Sequence, residues 1–276
     1  MGKRYTDEFL EEAYNYMKNT DKGVTAVARH FGVDGGTLSK RLKTKYGKEN
    51  IISRKDGKLE VDSNFFEVID TEEKAYWLGF LTADGHLAKT GYVSLALGLK
   101  DIEHLKKFKS DIKSKHKIIE DATQTIGDKK YIVPRITFKD KKIENDLKKL
   151  GFENKKAYNA YIPFDKIPNE LMNHYIRGLF DGDGSVFEVK NKKIWATICT
   201  TSSCQMVDDI TQYIKKELNI NVKYNINKTF LDIILRKQND VYAFQEWLYK
   251  DATVYLKRKY DKFAVLRQDC EKSQDD

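Results

Sequence analysis

Two aspartates, Asp84 and Asp183, end similar segments of the sequence, YWLGFLTAD and YIRGLFDGD, at a constant offset of 99 residues. Each segment has the apolar pattern of a helix. If the two helix ends meet, two carboxylates and two negative helix-dipole ends lie together and repel each other. Such an arrangement favours a hard cation such as Mg²⁺, and a pair of these ions can hold a phosphodiester and activate water. The two aspartates therefore predict a metal-dependent phosphodiester site.

Small residues in the same segments explain how the two helices could meet. They stand four residues apart, on one helical face, as Gly79 with Ala83 and Gly178 with Gly182. Small side chains at this spacing let two helix backbones approach closely. We therefore expect these four residues at a helix interface. We also expect left-handed backbone at the glycine that follows each aspartate.

A basic cluster lies downstream of each aspartate, NKKAY at 154–158 and LKRKY at 256–260. Lys156 and Lys259 are the candidates for stabilising the charge that develops on the phosphate in the transition state. A plain phosphate contact or a solvated charge is an equally good interpretation of either lysine.

The chain that follows each motif repeats as well. Both copies predict a helix, two strands, a helix, two strands and a helix, with YIVPRITF and KTFLDIILR as two-stranded regions. This is a duplicated α+β domain, with one copy at 69–167 and the other at 168–276. It is too long in period for a solenoid.

Residues 1–50 have a different pattern, that of a small all-α domain. Ala28, Gly32 and Leu38 have the spacing of a helix-turn-helix, and the stretch resembles pipsqueak-type and transposase-type modules. The side chains expected in a major groove are Thr37, Ser39, Lys40, Arg41 and Lys43. A three-helix bundle with surface charge is the alternative.

The charge of the chain supports an acidic partner. The formal charge is +8, and residues 29–58 hold nine Lys or Arg against three acids, a net of +6. Nucleic acid is the commonest partner of such a basic region. Residues 51–68 are expected to form a basic linker that lies along DNA or serves as a solvated tether.

The paired motifs resemble those of the LAGLIDADG homing endonucleases in their single-chain, two-motif form, over about residues 69 to 267. The resemblance implies two pseudo-symmetric α-β-β-α-β-β-α repeats whose sheets form a saddle over double-stranded DNA. It also implies metal binding by Asp84 and Asp183 and a Mg²⁺-dependent double-strand break at a long asymmetric site. Mn²⁺ is expected to substitute, and Ca²⁺ to support binding without cleavage. On the sheets, Arg135 and Arg236 are expected to contact the DNA.

The sequence departs from the family pattern at one acid. Thr82 stands where the family usually has an earlier acid, which the second copy keeps as Asp181, and Gly182 replaces the usual alanine. Two other functions use the same scaffold, a DNA-binding regulator that does not cleave and an RNA maturase. Retention of Asp84 and Asp183 favours the nuclease over both.

Other classes of protein are not indicated. The three cysteines lack a zinc spacing and are too few for a disulfide framework, and there is no P-loop or dinucleotide fingerprint. We also expect no signal peptide, and no apolar run has membrane-spanning length. We expect an intracellular monomer, in the cytoplasm of a bacterial or phage-infected host, without a small-molecule cofactor.

Overall fold

The structure is a computed structural model that describes residues 5–20, 22–51, 60–153, 159–190, 193–227 and 229–272. The chain divides into two compact units, Met1–Glu60 and Val61–Asp276. None of the helices within the described residues is long and apolar enough to cross a membrane.

The first unit contains three helices, α1 (Asp7–Thr20), α2 (Val24–Phe31) and α3 (Gly35–Tyr46). Gly32 ends α2 in the left-handed conformation (φ 63°), which is accessible to glycine at little cost. Asp34 then caps α3, because its side chain accepts a hydrogen bond of 2.7 Å from the backbone N–H of Thr37. The core of the unit is formed by apolar residues from all three helices, among them Leu10, Ala13, Met17, Val27, Leu38 and Leu42.

The second unit is built from two copies of one arrangement. The first copy contains helices α4 (Glu72–Asp84), α5 (Ile102–Asp111) and α6 (Lys141–Lys149). Its strands are β1 (Gly85–Leu87), β2 (Val93–Ala96), β3 (Ile118–Ile119), β4 (Thr123–Ile126), β5 (Lys129–Ile132) and β6 (Arg135–Phe138). Four of them form an antiparallel sheet in the order β1-β2-β6-β3, and β4 pairs with β5 in a separate hairpin.

The second copy repeats this order. Its helices are α7 (Met172–Asp183), α8 (Cys204–Leu218) and α9 (Gln238–Tyr249), followed by α10 (Lys257–Lys272). Its strands are β7 (Ser185–Glu188), β8 (Ile194–Thr201), β9 (Lys223–Asn227) and β10 (Phe230–Leu235). They pair antiparallel in the order β7-β8-β10-β9. The predicted α+β class with two α-β-β-α-β-β-α repeats is therefore confirmed.

One strand prediction is wrong. The segment KTFLDIILR contains a single strand, β10, whose partner β9 is the preceding KYNIN. Residues Ile233 to Leu235 are buried and pair with β8, and Phe230 to Ile234 pair with β9. A central strand pairs on both edges, and its apolar residues form one unbroken run. β10 therefore spans the whole run, and the chain reverses before Phe230.

The two copies share one core, at whose centre α4 and α7 pack against each other. Large side chains of both helices are fully buried there, including Tyr76, Trp77, Phe80, Tyr175 and Phe180. Burial of each side chain of this size stabilises the folded state by roughly 1.5–3 kcal/mol relative to exposure. The apolar motif segments therefore form an interface between the two copies.

Candidate active site

The approach of α4 to α7 depends on glycine. A Cβ added at Gly79 would collide with the carbonyl oxygen of Tyr175, and one added at Gly178 would collide with that of Tyr76. Further along the interface, a Cβ at Gly182 would collide with the Cβ of Ala83. The four small residues singled out in the sequence thus lie where the two helices are closest.

The two helices end at the two aspartates, and the chain passes directly into a strand in each copy. The glycines that follow are extended, with φ −71° at Gly85 and φ −78° at Gly184, so the expectation of left-handed backbone is wrong. Close contact explains the glycine instead. An added Cβ would lie 2.6 Å from the carbonyl oxygen of Leu81 at Gly85 and of Phe180 at Gly184.

Asp84 and Asp183 come together at these ends, and both are exposed. A Cβ built on Gly182 would lie 3.5 Å from Oδ2 of Asp84, which places that carboxylate beside the residue preceding Asp183. A cleft of about 280 Å³ opens next to Asp183, and Thr82 and Phe230 are among the residues that line it. Both carboxylates are therefore accessible from solvent.

The donor set fits Mg²⁺. This ion usually takes one or two carboxylates and completes its shell with water and substrate phosphate oxygens. Two exposed carboxylates at adjoining helix ends meet that requirement. Across the described part of the chain, no group of three or more His, Cys, Asp or Glu is placed to hold a metal ion.

Lys259 lies buried beneath Asp183. Its side chain extends to the C-terminal end of α7, where Nζ donates hydrogen bonds to the carbonyl oxygens of Phe180 (2.7 Å), Gly182 (3.1 Å) and Gly184 (2.6 Å). Burial lowers the pKa of Lys259 to about 8, against the opposing effect of nearby carboxylates, chiefly that of Asp181. The ammonium ion thus lies at the negative end of the α7 dipole.

Asp181 is a second buried ionisable group at the same helix end. Its Oδ2 accepts hydrogen bonds from the Tyr76 hydroxyl (2.8 Å) and the Leu256 backbone N–H (2.7 Å). Burial raises the pKa of this carboxyl to about 6, although the hydrogen bond from Leu256 lowers it. Asp181 has no predicted function from sequence, although the presence of Thr82 at the equivalent position of the first copy is a signal that the position differs.

Arg177 and Glu72 form a buried ion pair between the two helices. Nη2 of Arg177 lies 2.6 Å from Oε1 of Glu72, and the arginine side chain is fully buried. Arg177 also donates to the carbonyl oxygens of Leu248 and Val254, both at 2.9 Å. Nothing in the local sequence pattern indicates this pair, because an arginine on a helix is usually exposed.

The predicted DNA-contacting residues lie in several places. In the second unit, Arg135 is half-buried in β6, whereas Arg236 is exposed after β10, bonds to Asn225 and covers the Trp195 ring at 5.3 Å. Lys156 lies outside the described residues.

In the first unit, α3 carries the remaining candidates. Thr37, Lys40 and Arg41 are exposed on it, and Ser39 and Lys43 are half-buried. The Arg41 guanidinium lies over the Tyr5 ring at 5.4 Å.

Comparison with known proteins identifies the fold. Residues 170–246 match the LAGLIDADG-like domain family. The homing endonuclease I-WcaI, bound to its DNA recognition sequence, superposes with a TM-score of 0.53 and 16% identity, over 71% of this chain and 90% of that one. The LAGLIDADG meganuclease I-AabMI, bound to uncleaved DNA, gives a TM-score of 0.48 and 12% identity, over 72% and 91% of the two chains.

A curated protein also matches. The replication factor C small subunit of Methanocaldococcus jannaschii is 23% identical over an alignment of 239 residues that covers 74% of this chain. The chain spans 12% of the length of that protein. The family match and the duplicated architecture together bear out the resemblance found in the sequence: the chain contains a LAGLIDADG-like domain, and its second unit has the fold of the homing endonuclease I-WcaI.

Proposed function

We propose that this protein is a site-specific DNA endonuclease, which makes a double-strand break at a long asymmetric site in the presence of a divalent cation. The observation that carries the proposal is the meeting of Asp84 and Asp183 at the ends of two helices packed through glycine. Two exposed carboxylates gathered in this way repel each other, and a cation bound between DNA and protein removes that repulsion.

The residues of the chain have separate tasks in this reaction. Asp84 and Asp183 would hold Mg²⁺ or Mn²⁺, which supplies positive charge to activate water and stabilise the leaving oxygen of the phosphodiester. Gly79 and Gly178 keep the two carboxylates together by permitting backbone contact. Lys156 would stabilise negative charge at the phosphate being cut.

The remaining basic residues would bind DNA. I-WcaI, whose fold the second unit shares, is a DNA-bound homing endonuclease, and the net charge of +8 is suited to a phosphate backbone. Arg135 and Arg236 would contact DNA from the sheets. The first unit would act as a helix-turn-helix with the linker along the duplex, and the residues in a major groove would be Thr37, Ser39, Lys40, Arg41 and Lys43.

The test is to select cleavable sites from a random or host-derived DNA library in Mg²⁺, with Asp84→Asn and Asp183→Asn assayed in parallel. Each substitution removes a metal-binding charge at an exposed position, so we expect loss of double-strand cleavage, with DNA affinity in Ca²⁺ retained. Failure of the unsubstituted protein to cleave any library sequence, with sequence-selective DNA binding retained, would overturn the proposal and favour the regulator. Selective binding of structured intron RNA would favour the maturase.

A further inference from the structure

The segment 248–256, which comprises the last two residues of α9 and the connection to α10 and is called the clamp segment here, is held to the central helix pair by buried polar groups. Glu72 accepts hydrogen bonds from the backbone N–H groups of Thr253 (2.7 Å) and Val254 (2.9 Å). Arg177 donates to two carbonyl oxygens of the segment, and Asp181 accepts from Leu256. Contacts from both α4 and α7 therefore fix its backbone.

This attachment determines where α10 begins and where Lys259 points. The backbone N–H of Lys259 bonds to the carbonyl oxygen of Leu256 (2.9 Å), the residue that Asp181 holds. From that fixed start, Nζ reaches three carbonyl groups in the last turn of α7 and just beyond it. Two of them belong to Gly182 and Gly184, the neighbours of Asp183 on either side.

An ammonium group has three N–H donors, and in Lys259 each has a carbonyl partner. The residue is 6% exposed, so a DNA phosphate would have to displace these bonds to reach it. The carbonyl groups of the residues on either side of Asp183 are thereby held from within the protein, and the negative helix end next to the carboxylate is partly neutralised.

We propose that Lys259 is a positioning residue, which holds the last turn of α7 so that the Asp183 carboxylate is oriented for a metal ion, and that it makes no contact with DNA. The inference rests on the proposed function in that it takes Asp183 as a metal-binding residue. It assigns Lys259 a role different from that of a phosphate-contacting lysine.

The test uses the full chain with Lys259→Met, which keeps the length of the side chain and removes its charge and donors. Lys257→Met is the matched control, because Lys257 stands two residues earlier on the same helix and its side chain is 81% exposed. Mn²⁺ alone, without DNA, is titrated by electron paramagnetic resonance. We expect Lys259→Met to weaken Mn²⁺ binding about 10-fold or more, as loss of a group supporting a metal ligand does, and Lys257→Met to have no effect.

Two measurements on DNA separate positioning from phosphate contact. Loss of one phosphate contact lowers the slope of log affinity against log salt by about 1. We expect Lys259→Met to leave this slope, measured in Ca²⁺, unchanged. In a strand-resolved cleavage assay we expect it to slow one nick more than the other, because only one of the two carboxylates is displaced.

A reduced salt slope, or unchanged Mn²⁺ affinity in folded Lys259→Met, would overturn the positioning role. Thermal unfolding reports whether the variant folds; if it does not, Lys259→Gln is measured instead. Its amide keeps two N–H donors for the three carbonyl oxygens, so we expect a smaller loss of Mn²⁺ affinity with the same unchanged salt slope, and full Mn²⁺ affinity or a reduced slope would overturn the role. If the unsubstituted protein cuts no DNA, the endonuclease proposal fails, and the Mn²⁺ titration still decides the role of Lys259.

Discussion

The two copies of the motif helix differ at one equivalent position, where α4 has Thr82 and α7 has Asp181. Thr82 bonds within its own helix, since its hydroxyl donates to the carbonyl oxygen of Leu78 at 2.8 Å. Asp181 instead accepts hydrogen bonds from Tyr76 of the other helix and from Leu256 of the clamp segment. The same position is thus satisfied locally in one copy and joins three elements in the other.

The tyrosines facing these residues show the same asymmetry. Tyr175, the equivalent of Tyr76, lies 3.5 Å from the Thr82 hydroxyl, whereas Tyr76 lies 2.8 Å from Asp181 and 2.7 Å from Nε2 of His104. When Asp181 is ionised, the hydroxyl of Tyr76 donates its proton to Asp181, and Nε2 of neutral His104 donates to the tyrosine oxygen. The two copies therefore agree at the exposed aspartates Asp84 and Asp183. They differ in the buried polar groups next to them, Asp181, Tyr76 and His104.

The two acids of the second motif, Asp181 and Asp183, are close in sequence but differ in burial and in whether both copies have them. The last aspartate of each motif is exposed and present in both copies, as a shared chemical task requires. The earlier acid is fully buried in the copy that has it and dispensable in the other. We infer that the earlier acid supports the structure, which explains how Thr82 can replace it.

Where the copies are alike, equivalent substitutions should have equal effects. Gly79→Ala and Gly178→Ala each drive a methyl group into a backbone carbonyl of the opposite helix, and backbone cannot move aside locally. We expect each to lower the free energy of unfolding by about 3 kcal/mol or more, measured by urea denaturation.

Gly98→Ala is the control for this pair, because a Cβ at Gly98 meets nothing within 4 Å. A loss confined to one of the two interface variants would show that the helices do not pack as equivalent partners.

Where the copies differ, exchanging their residues should have unequal effects. Asp181→Thr leaves the Tyr76 hydroxyl and the Leu256 N–H without their buried acceptor, and we expect a loss of about 2 kcal/mol in the free energy of unfolding. Thr82→Ala removes a hydrogen bond within one helix and a long contact of 3.5 Å from the Tyr175 hydroxyl, so it should cost less, about 1 kcal/mol. Equal losses of unfolding free energy in urea denaturation would contradict the role of Asp181 in joining α4, α7 and the clamp segment.

The sequence predicted the parts of this fold that depend on repetition. The spacing of Gly79 and Ala83, repeated at Gly178 and Gly182, indicated two helices meeting at their acidic ends, and the order of elements followed from periodicity. The division of KTFLDIILR was wrong, because an apolar run does not show where a hairpin turns. The backbone at Gly85 was wrong, because the chain enters a strand there without a left-handed residue.

The buried polar network could not be predicted for a different reason. Leu256 lies 75 residues from Asp181, and Val254 lies 182 residues from Glu72. A single side chain carries no signal for a backbone partner at that distance. The capping of α7 by Lys259 is of the same kind, since LKRKY identifies a basic cluster but not which lysine turns inward.

The last prediction concerns pH, and it follows from the buried layer in which the copies differ. Burial lowers the pKa of His104 from 6.5 to about 4, so between those values the unfolded chain binds a proton that the native protein does not. The contribution of His104 to stability therefore decreases as pH falls from 6.5 to about 4. Asp181 has the opposite sign, because its pKa is raised from 3.8 to about 6 and the native protein binds the extra proton between those values. Its contribution increases as pH falls.

The two contributions oppose each other between about pH 4 and 6, so they partly cancel in the unsubstituted protein. The difference in stability between each variant and the unsubstituted protein reports the contribution of the group that was removed. In urea denaturation with EDTA, Asp181→Asn should become less stable relative to the unsubstituted protein as the pH falls from 6 to 4.5, by about 1 kcal/mol. His104→Leu should become relatively more stable over the same range. Tyr76 bonds to both groups, whereas Thr82, at the position equivalent to Asp181, carries a hydroxyl that does not titrate in this range. The free energy of unfolding of Thr82→Ala should therefore have the same pH dependence as that of the unsubstituted protein. A pH-dependent difference would show that Thr82 is coupled to titrating groups as Asp181 is.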